Sequence, residues 1–228
     1  MYDEHMKLKP VAIIAAAAVL FSTLTGCSIA YEGSPATPTV SANTQDSDAV
    51  LKKLRWGKEI ELKKAVFSAS KSYTVSVDGE EVGKLKGQYF PVFGDTFSLY
   101  STGGNLVASE GEKLKLPYHG ASFYDYNNAK TGEVHEDISF VMAHWTIVDA
   151  ENKAIGEAKQ NVNLTLKFTV TNEAGDAQYE VKKDYVTVTG SKLRIERKAN
   201  EATVSATDAL FLAAIANELD EASKEKNK

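Results

Sequence analysis

The chain has a single cysteine, Cys27. A lone thiol closes no internal disulfide and builds no multi-thiolate metal site. Basic excess is missing too: 26 Lys and Arg face 31 Asp and Glu, for a formal charge of −5. Without surplus cations to neutralise phosphates, a nucleic-acid partner is excluded. The uncharged stretch from Val11 to Phe21 is the one hydrophobic run near the N-terminus. It falls short of the ~18 residues that span a bilayer. No helical period separates the strand-like segments of the middle of the chain, which removes βαβ units.

What is present starts with Lys7 and Lys9 ahead of that run and Leu24-Thr25-Gly26-Cys27 after it, the order of charge, apolar stretch and small residues found in secretory signals. Asp3 and Glu4 put negative charge where such a signal is positive, so Met6 is the expected start. The four residues 24–27 resemble the lipobox of bacterial lipoproteins. That resemblance implies a diacylglycerol, palmitate-type anchor on the Cys27 thiol and removal of residues 1–26 as a signal peptide. It further implies a cell-envelope protein held to the cell membrane or outer membrane, facing outside the cytoplasm.

Residues 27–48, with Gly33-Ser34-Pro35 and Ser41-Ala42-Asn43, have little apolar bulk to offset ordering entropy and read as a disordered tether. The folded domain is expected over 49–228. Ser47 or Asp48 is a candidate cap for a short helix with Val50, Leu51 and Leu54 on one face. Lys52, Lys53, Arg55 and Lys58 cluster there. One reading is contact with anionic lipid headgroups, about 1 kcal/mol per basic residue near a charged surface. The other is a solvated helix face.

From residue 59 the period becomes two. Val162, Leu164, Leu166, Phe168 and Val170 alternate with polar residues, as do Tyr73, Val75 and Val77, and Leu193 and Ile195. Turn chemistry at Asp78-Gly79, Gly103-Gly104-Asn105, Thr131-Gly132, Asp149-Ala150-Glu151-Asn152 and Asn172-Glu173-Ala174-Gly175 separates the runs. Antiparallel hairpins follow. Ile138–Val148, apolar on both faces, reads as one strand covered on both sides. The segment Ala209–Ala216 is apolar around its whole circumference, with Thr207 or Asp208 as candidate cap, and such a helix belongs inside something. The expected fold is mainly β: a closed or nearly closed antiparallel barrel around a buried hydrophobic C-terminal helix, residues 206–224.

The segments Leu62–Ser68, Tyr73-Thr74-Val75, Glu81–Leu85, Phe97–Tyr100, Trp145–Asp149, Ala154–Glu157 and Asp208–Ile215 together resemble the tubby C-terminal-like, LURP-one-related proteins, over about residues 59–222. The resemblance implies a barrel with the helix threaded through it and a binding role; tubby itself binds phosphoinositide headgroups. No site residue transfers.

Ser68-Ala69-Ser70-Lys71 and Lys130-Thr131-Gly132 match the S-x-x-K and K-T-G spacings of penicillin-binding proteins, but Tyr126-Asn127-Asn128 lies too close to Lys130 to serve as the element between them. His119, His135 and His144 lack metal-ligand spacing, so no metal and no cofactor is implied. Glu133, His135, Glu136 and Asp137 read as a solvated acidic hairpin tip rather than a Ca²⁺ site. His144 reads as a hydrogen-bonded core histidine. Tyr118, Phe123, Tyr124 and Tyr126 read as packing aromatics rather than a stacking platform for sugar or peptide. Two function classes remain: a non-enzymatic, lipid-anchored binding protein, and an envelope enzyme whose site is assembled from distant residues.

Overall fold

The computed structural model describes residues 44–64, 71–90, 94–115, 118–137, 143–160, 166–186 and 190–226. Helix α1 (Thr44–Trp56) precedes twelve strands: β1 (Glu59–Lys64), β2 (Ser72–Val77), β3 (Glu80–Phe90), β4 (Gly94–Ser101), β5 (Leu106–Lys115) and β6 (Tyr118–Asp125), then β7 (Lys130–Asp137), β8 (His144–Asp149), β9 (Ala154–Gln160), β10 (Lys167–Asn172), β11 (Ala177–Val186) and β12 (Gly190–Arg197). Helix α2 (Ala206–Lys226) follows. Each strand pairs antiparallel with its sequence neighbour, and β1 pairs with β12 through Ile60↔Ile195 and Leu62↔Leu193, closing the barrel. Alternation explains the faces. Ile60, Leu62, Tyr73, Val75, Leu193 and Ile195 are buried, while Glu61, Thr74 and Arg194 between them remain partly exposed.

Several hairpins turn where expected. Asp78 (φ 50°) and Gly79 (φ 85°) are both left-handed, the geometry that tight β2–β3 reversal requires. Thr131-Gly132 is different: it lies inside β7, and the reversal before it uses Asn128 (φ 63°). Gly132 serves packing instead, since a Cβ there would sit 2.9 Å from the Val148 carbonyl and 3.4 Å from an Asp208 carboxylate oxygen.

The stretch Ile138–Val148 is not one strand. β7 ends at Asp137, β8 begins at His144, and the two are paired antiparallel with Asp137 opposite His144. In β8, Trp145 and Ile147 face the core, whereas His144 and Thr146 do not. Residues 138–142, and Val162 and Leu164 of the run expected near 162–170, lie outside the described residues.

Helix α2 fills the barrel. Ala209, Leu210, Phe211, Leu212, Ala213 and Ala214 are all essentially inaccessible, and their directions cover every side of the helix. The walls come from around the ring. Phe211 stacks on Phe123 of β6 at 5.4 Å, the Asn217 amide donates to the Tyr73 hydroxyl of β2 at 2.8 Å, and Lys183 of β11 pairs with Asp220 at 3.2 Å. Its cap is Ser205, not Thr207 or Asp208: the Asp208 N–H donates to Ser205 Oγ at 3.0 Å.

Helix α1 begins at Thr44, inside the stretch expected to be tether. Its first turns are fixed to the β4–β5 turn. Asp46 accepts hydrogen bonds from the Ser101 hydroxyl and from the Asn105 amide, and the buried Ser47 hydroxyl donates to the Leu106 carbonyl at 2.7 Å. Ser47 and Asp48 are therefore helix interior rather than caps. Val50 and Leu54 enter the same core as the barrel.

Candidate binding site

A cavity of about 670 Å³ opens where α1 meets the chain between β12 and α2. Its construction follows from the end of α1. The last carbonyls of a helix lack intrahelical donors, and Arg197 supplies them. Its Nε donates to the Gly57 carbonyl at 3.0 Å and its Nη2 to the Leu54 carbonyl at 3.2 Å and to that of Arg55. The guanidinium lies 5.4 Å from the Tyr179 ring centre, and the Tyr179 hydroxyl donates to the Val204 carbonyl at 3.1 Å. Thr203 N–H donates to Gln178 Oε1 at 2.9 Å, which pins the segment leading into α2.

The walls combine Leu51, Ala108, Tyr179, Ala202 and Val204 with Tyr124, Thr131, Asn200 and Thr203. At the rim Arg55 lies over the ring of Trp56 at 5.3 Å, and Trp56 is 60% exposed. Among the described residues neither Arg55 nor Arg197 has a carboxylate partner. Of the two acidic residues at the cavity, Asp125 Oδ1 accepts from the N–H groups of Asn127 and Ala129, and Glu201 is exposed.

The floor is the first turn of α2, Ser205-Ala206-Thr207. Asp208, the next residue, completes a capping box by accepting hydrogen bonds back from Ser205. Burial pushes its carboxyl up to about 6, only partly offset by those bonds, and Oδ1 has no hydrogen-bond partner.

The far end of α2 is closed by paired charge. Tyr73 donates to Glu218 Oε1 at 2.5 Å; Lys64 and Lys71 pair with Glu218 at 3.0 and 2.7 Å; Lys183 pairs with Glu221 at 3.1 Å. Burial pushes the Glu218 carboxyl up, but the bonds from Lys71, Tyr73 and Lys64 outweigh it and hold it below its ordinary range. Burial likewise opposes ionisation of Glu221, and the hydrogen bond from Lys64 with the nearby Lys64 and Lys183 charges prevails.

Of the four basic residues expected at headgroups, Lys52, Lys53 and Arg55 stand on α1 and Lys58 follows its end. Arg55 is at the cavity rim. Lys53 pairs with Glu80 at 2.6 Å; Lys52 is exposed on α1; Lys58 lies beyond the helix, its N–H donated to Asp78 at 3.0 Å. Cys27 and the rest of the lipobox-like stretch 24–27 lie outside the described residues, as does Ser68. Lys71 and Lys130 belong to opposite ends of the barrel: Lys71 pairs with Glu218, whereas Lys130 precedes the cavity residue Thr131 and pairs with Glu133 at 2.9 Å.

Of the expected acidic hairpin tip, Glu133, His135 and Glu136 lie within β7 and Asp137 ends it. Glu133 is buried, opposite Ser122, and bonded to Lys130, His135 and Ser122. His144 is not in the core; it is partly exposed between Asp137 at 3.2 Å and Glu157 at 3.0 Å. Of the aromatics, Phe123 packs on Phe211, Tyr126 donates to Asp48, and Tyr124 alone of these lines the cavity. The side chain of Tyr118 lies outside the described residues.

Sequence reading missed Trp56, Arg197 and the 198–205 segment as site residues. One signal was available: Ser205-Ala206-Thr207-Asp208 is an N-terminal box ahead of an apolar run, which marks where the helix starts. Among the described residues no group of three or more His, Cys, Asp or Glu is placed to hold a metal, and no described helix is long and apolar enough to cross a membrane. Comparison with protein-family models, with curated proteins and with solved structures returned no match.

Proposed function

We propose that this chain is a non-enzymatic, lipid-anchored binding protein of the cell envelope, with a tubby- or LURP-one-like barrel that meets anionic lipid or an envelope partner at its α1 end. The lipobox-like Leu24-Thr25-Gly26-Cys27 supports the anchor, and α1 is the first described element after it. The observation that carries the reading is the cavity at that end, with Arg55 and Trp56 on its rim and two guanidinium groups lacking carboxylate partners. Lys52 adds an exposed charge on the same helix. Trp and Arg together suit a surface that is apolar on one side and anionic on the other.

The test has two arms. Cys27→Ala abolishes lipid labelling and shifts the protein out of the membrane fraction, because two acyl chains at ~0.8 kcal/mol per buried CH₂ give the stable attachment. Residues 27–228, carrying Cys27→Ala, bind phosphatidylglycerol vesicles, and binding fades as salt shortens the Debye length. Reversing Lys52, Arg55 and Lys58 to Glu removes it, while Lys53, already committed to Glu80, matters less. Equal vesicle binding before and after reversal overturns the headgroup contact; unchanged membrane fractionation of Cys27→Ala overturns the anchor.

A further inference from the structure

We infer that the cavity beneath α1 holds a single-chain acidic amphiphile, its acid group at the mouth between Arg55 and Arg197 and its hydrocarbon against Leu51, Tyr179 and Val204. This deepens the binding reading above, but it concerns one molecule inside the cavity rather than a vesicle surface. Four observations converge. A volume of about 670 Å³ falls within the range of small-molecule sites, roughly 300–1,000 Å³. Arg55 and Arg197 both line the cavity, and Arg197 Nη2 donates to the backbone carbonyl of Arg55. Neither has a carboxylate among the described residues. Arg197 is only half exposed, and a partly desolvated cation gains most from an anionic partner.

Depth changes the chemistry. Tyr179 and Val204 are buried, and Leu51 is packed against the core, so the inner wall offers hydrocarbon. The buried carboxyl of Asp208 lies one residue behind the floor. It repels an anion placed deep in the site, and this fixes the acid at the rim and the tail inward. Two further carboxylates line the cavity: Asp125, whose Oδ1 accepts from the Asn127 and Ala129 N–H groups, and Glu201, exposed to solvent, where its repulsion is screened.

Trp56 makes the test direct, because it lines the cavity, while the second tryptophan, Trp145, is buried on β8 against Phe168. The protein is residues 27–228 with Cys27→Ala, which keeps every described element. The probe is 9,10-dibromostearic acid below its micelle concentration, whose bromines quench a nearby indole. Saturable one-to-one quenching is expected, absent in Trp56→Phe, with the dibromostearate methyl ester binding at least tenfold more weakly. Arg55→Gln weakens the acid about tenfold and leaves the ester unchanged. Ala202→Phe, which fills the cavity, abolishes quenching while salt-dependent vesicle binding persists. The two sources of such chemistry, a free fatty acid and a lysophospholipid, are separated by comparing the free acid with the same chain on lysophosphatidate; the tighter of the two identifies the source. Absence of quenching by both, equal affinity for acid and ester, or full quenching in a folded Ala202→Phe overturns the inference. Should Ala202→Phe fail to fold, the acid-against-ester comparison on the parent chain decides it.

Discussion

The two ends of helix α2 solve the same problem in opposite ways. Where the helix leaves the barrel, Lys64, Lys71 and Lys183 meet Glu218, Asp220 and Glu221, and the Tyr73 hydroxyl closes the set. Each of these named charges has a counter-charge. Where the helix enters, a carboxyl is buried with one oxygen lacking a partner, two guanidinium groups form no ion pair among the described residues, and a cavity stands open. A sealed end maintains the fold. The open end holds the cavity, which is why the proposed ligand is placed there.

The harshest way to break the comparison is to remove what both ends share. A chain ending at residue 206 empties the barrel and loses cooperative unfolding. Leu212→Ala alone costs about 2–5 kcal/mol by denaturant titration, since Leu212 is buried. A near-normal melting temperature for the truncated chain would show that the helix is dispensable and neither end matters.

Next in size is the sealed end. Glu218→Ala leaves the buried Tyr73 hydroxyl without its acceptor and removes one counter-charge from Lys71 and from Lys64, which keeps Glu221, a loss of about 1–3 kcal/mol. A cost below 1 kcal/mol would mean the network is ornament.

The third test reads the sign of the pH dependence. Asp208 titrates at about 6 folded against 3.8 otherwise, so the folded state prefers it protonated. Its contribution is full below 3.8 and is lost as pH rises to about 6, at most about 3 kcal/mol. Asp208→Asn keeps an acceptor for Ser205 and should flatten that decline in the melting temperature. Glu218 and Glu221 are held below 4.5, so their contribution is present above that value and is lost as pH falls through their lowered range. Glu218→Gln flattens the acid side only. If both substitutions act on the same side of the profile, the opposition between the ends is false.

The smallest expected effect sharpens the contrast further. Arg55→Gln changes stability by no more than about 0.5 kcal/mol, because this exposed side chain holds nothing in place, while ligand binding falls.

The barrel and its helix were legible because their signals are periodic. Leu193 and Ile195 repeat at two, and Leu210, Phe211 and Leu212 leave no polar face. The sites of charge were not. Glu133 reads as solvent-exposed among its acidic neighbours, yet Ser122 and Lys130 enclose it. The cavity joins residues 51–56 to 197–207, and no local pattern states that distance. Thr131-Gly132 misled for a related reason: glycine there provides room for the Val148 carbonyl rather than a bend. The basic run at 52–58 suggested one patch of free charge, but Lys53 is paired with the sequence-distant Glu80.

The seam between β1 and β12, with Ile60 beside Ile195, carries a consequence for the order in which this molecule is made. The first and last strands must meet around a filling that is synthesised after both. A chain emerging N-terminus first, from ribosome or translocation pore, presents its whole wall before its contents arrive. No shortened intermediate has a native core, and contacts of such long sequence separation form slowly. Closure of the native core is therefore a single late event, and until α2 is made the growing wall has no native filling.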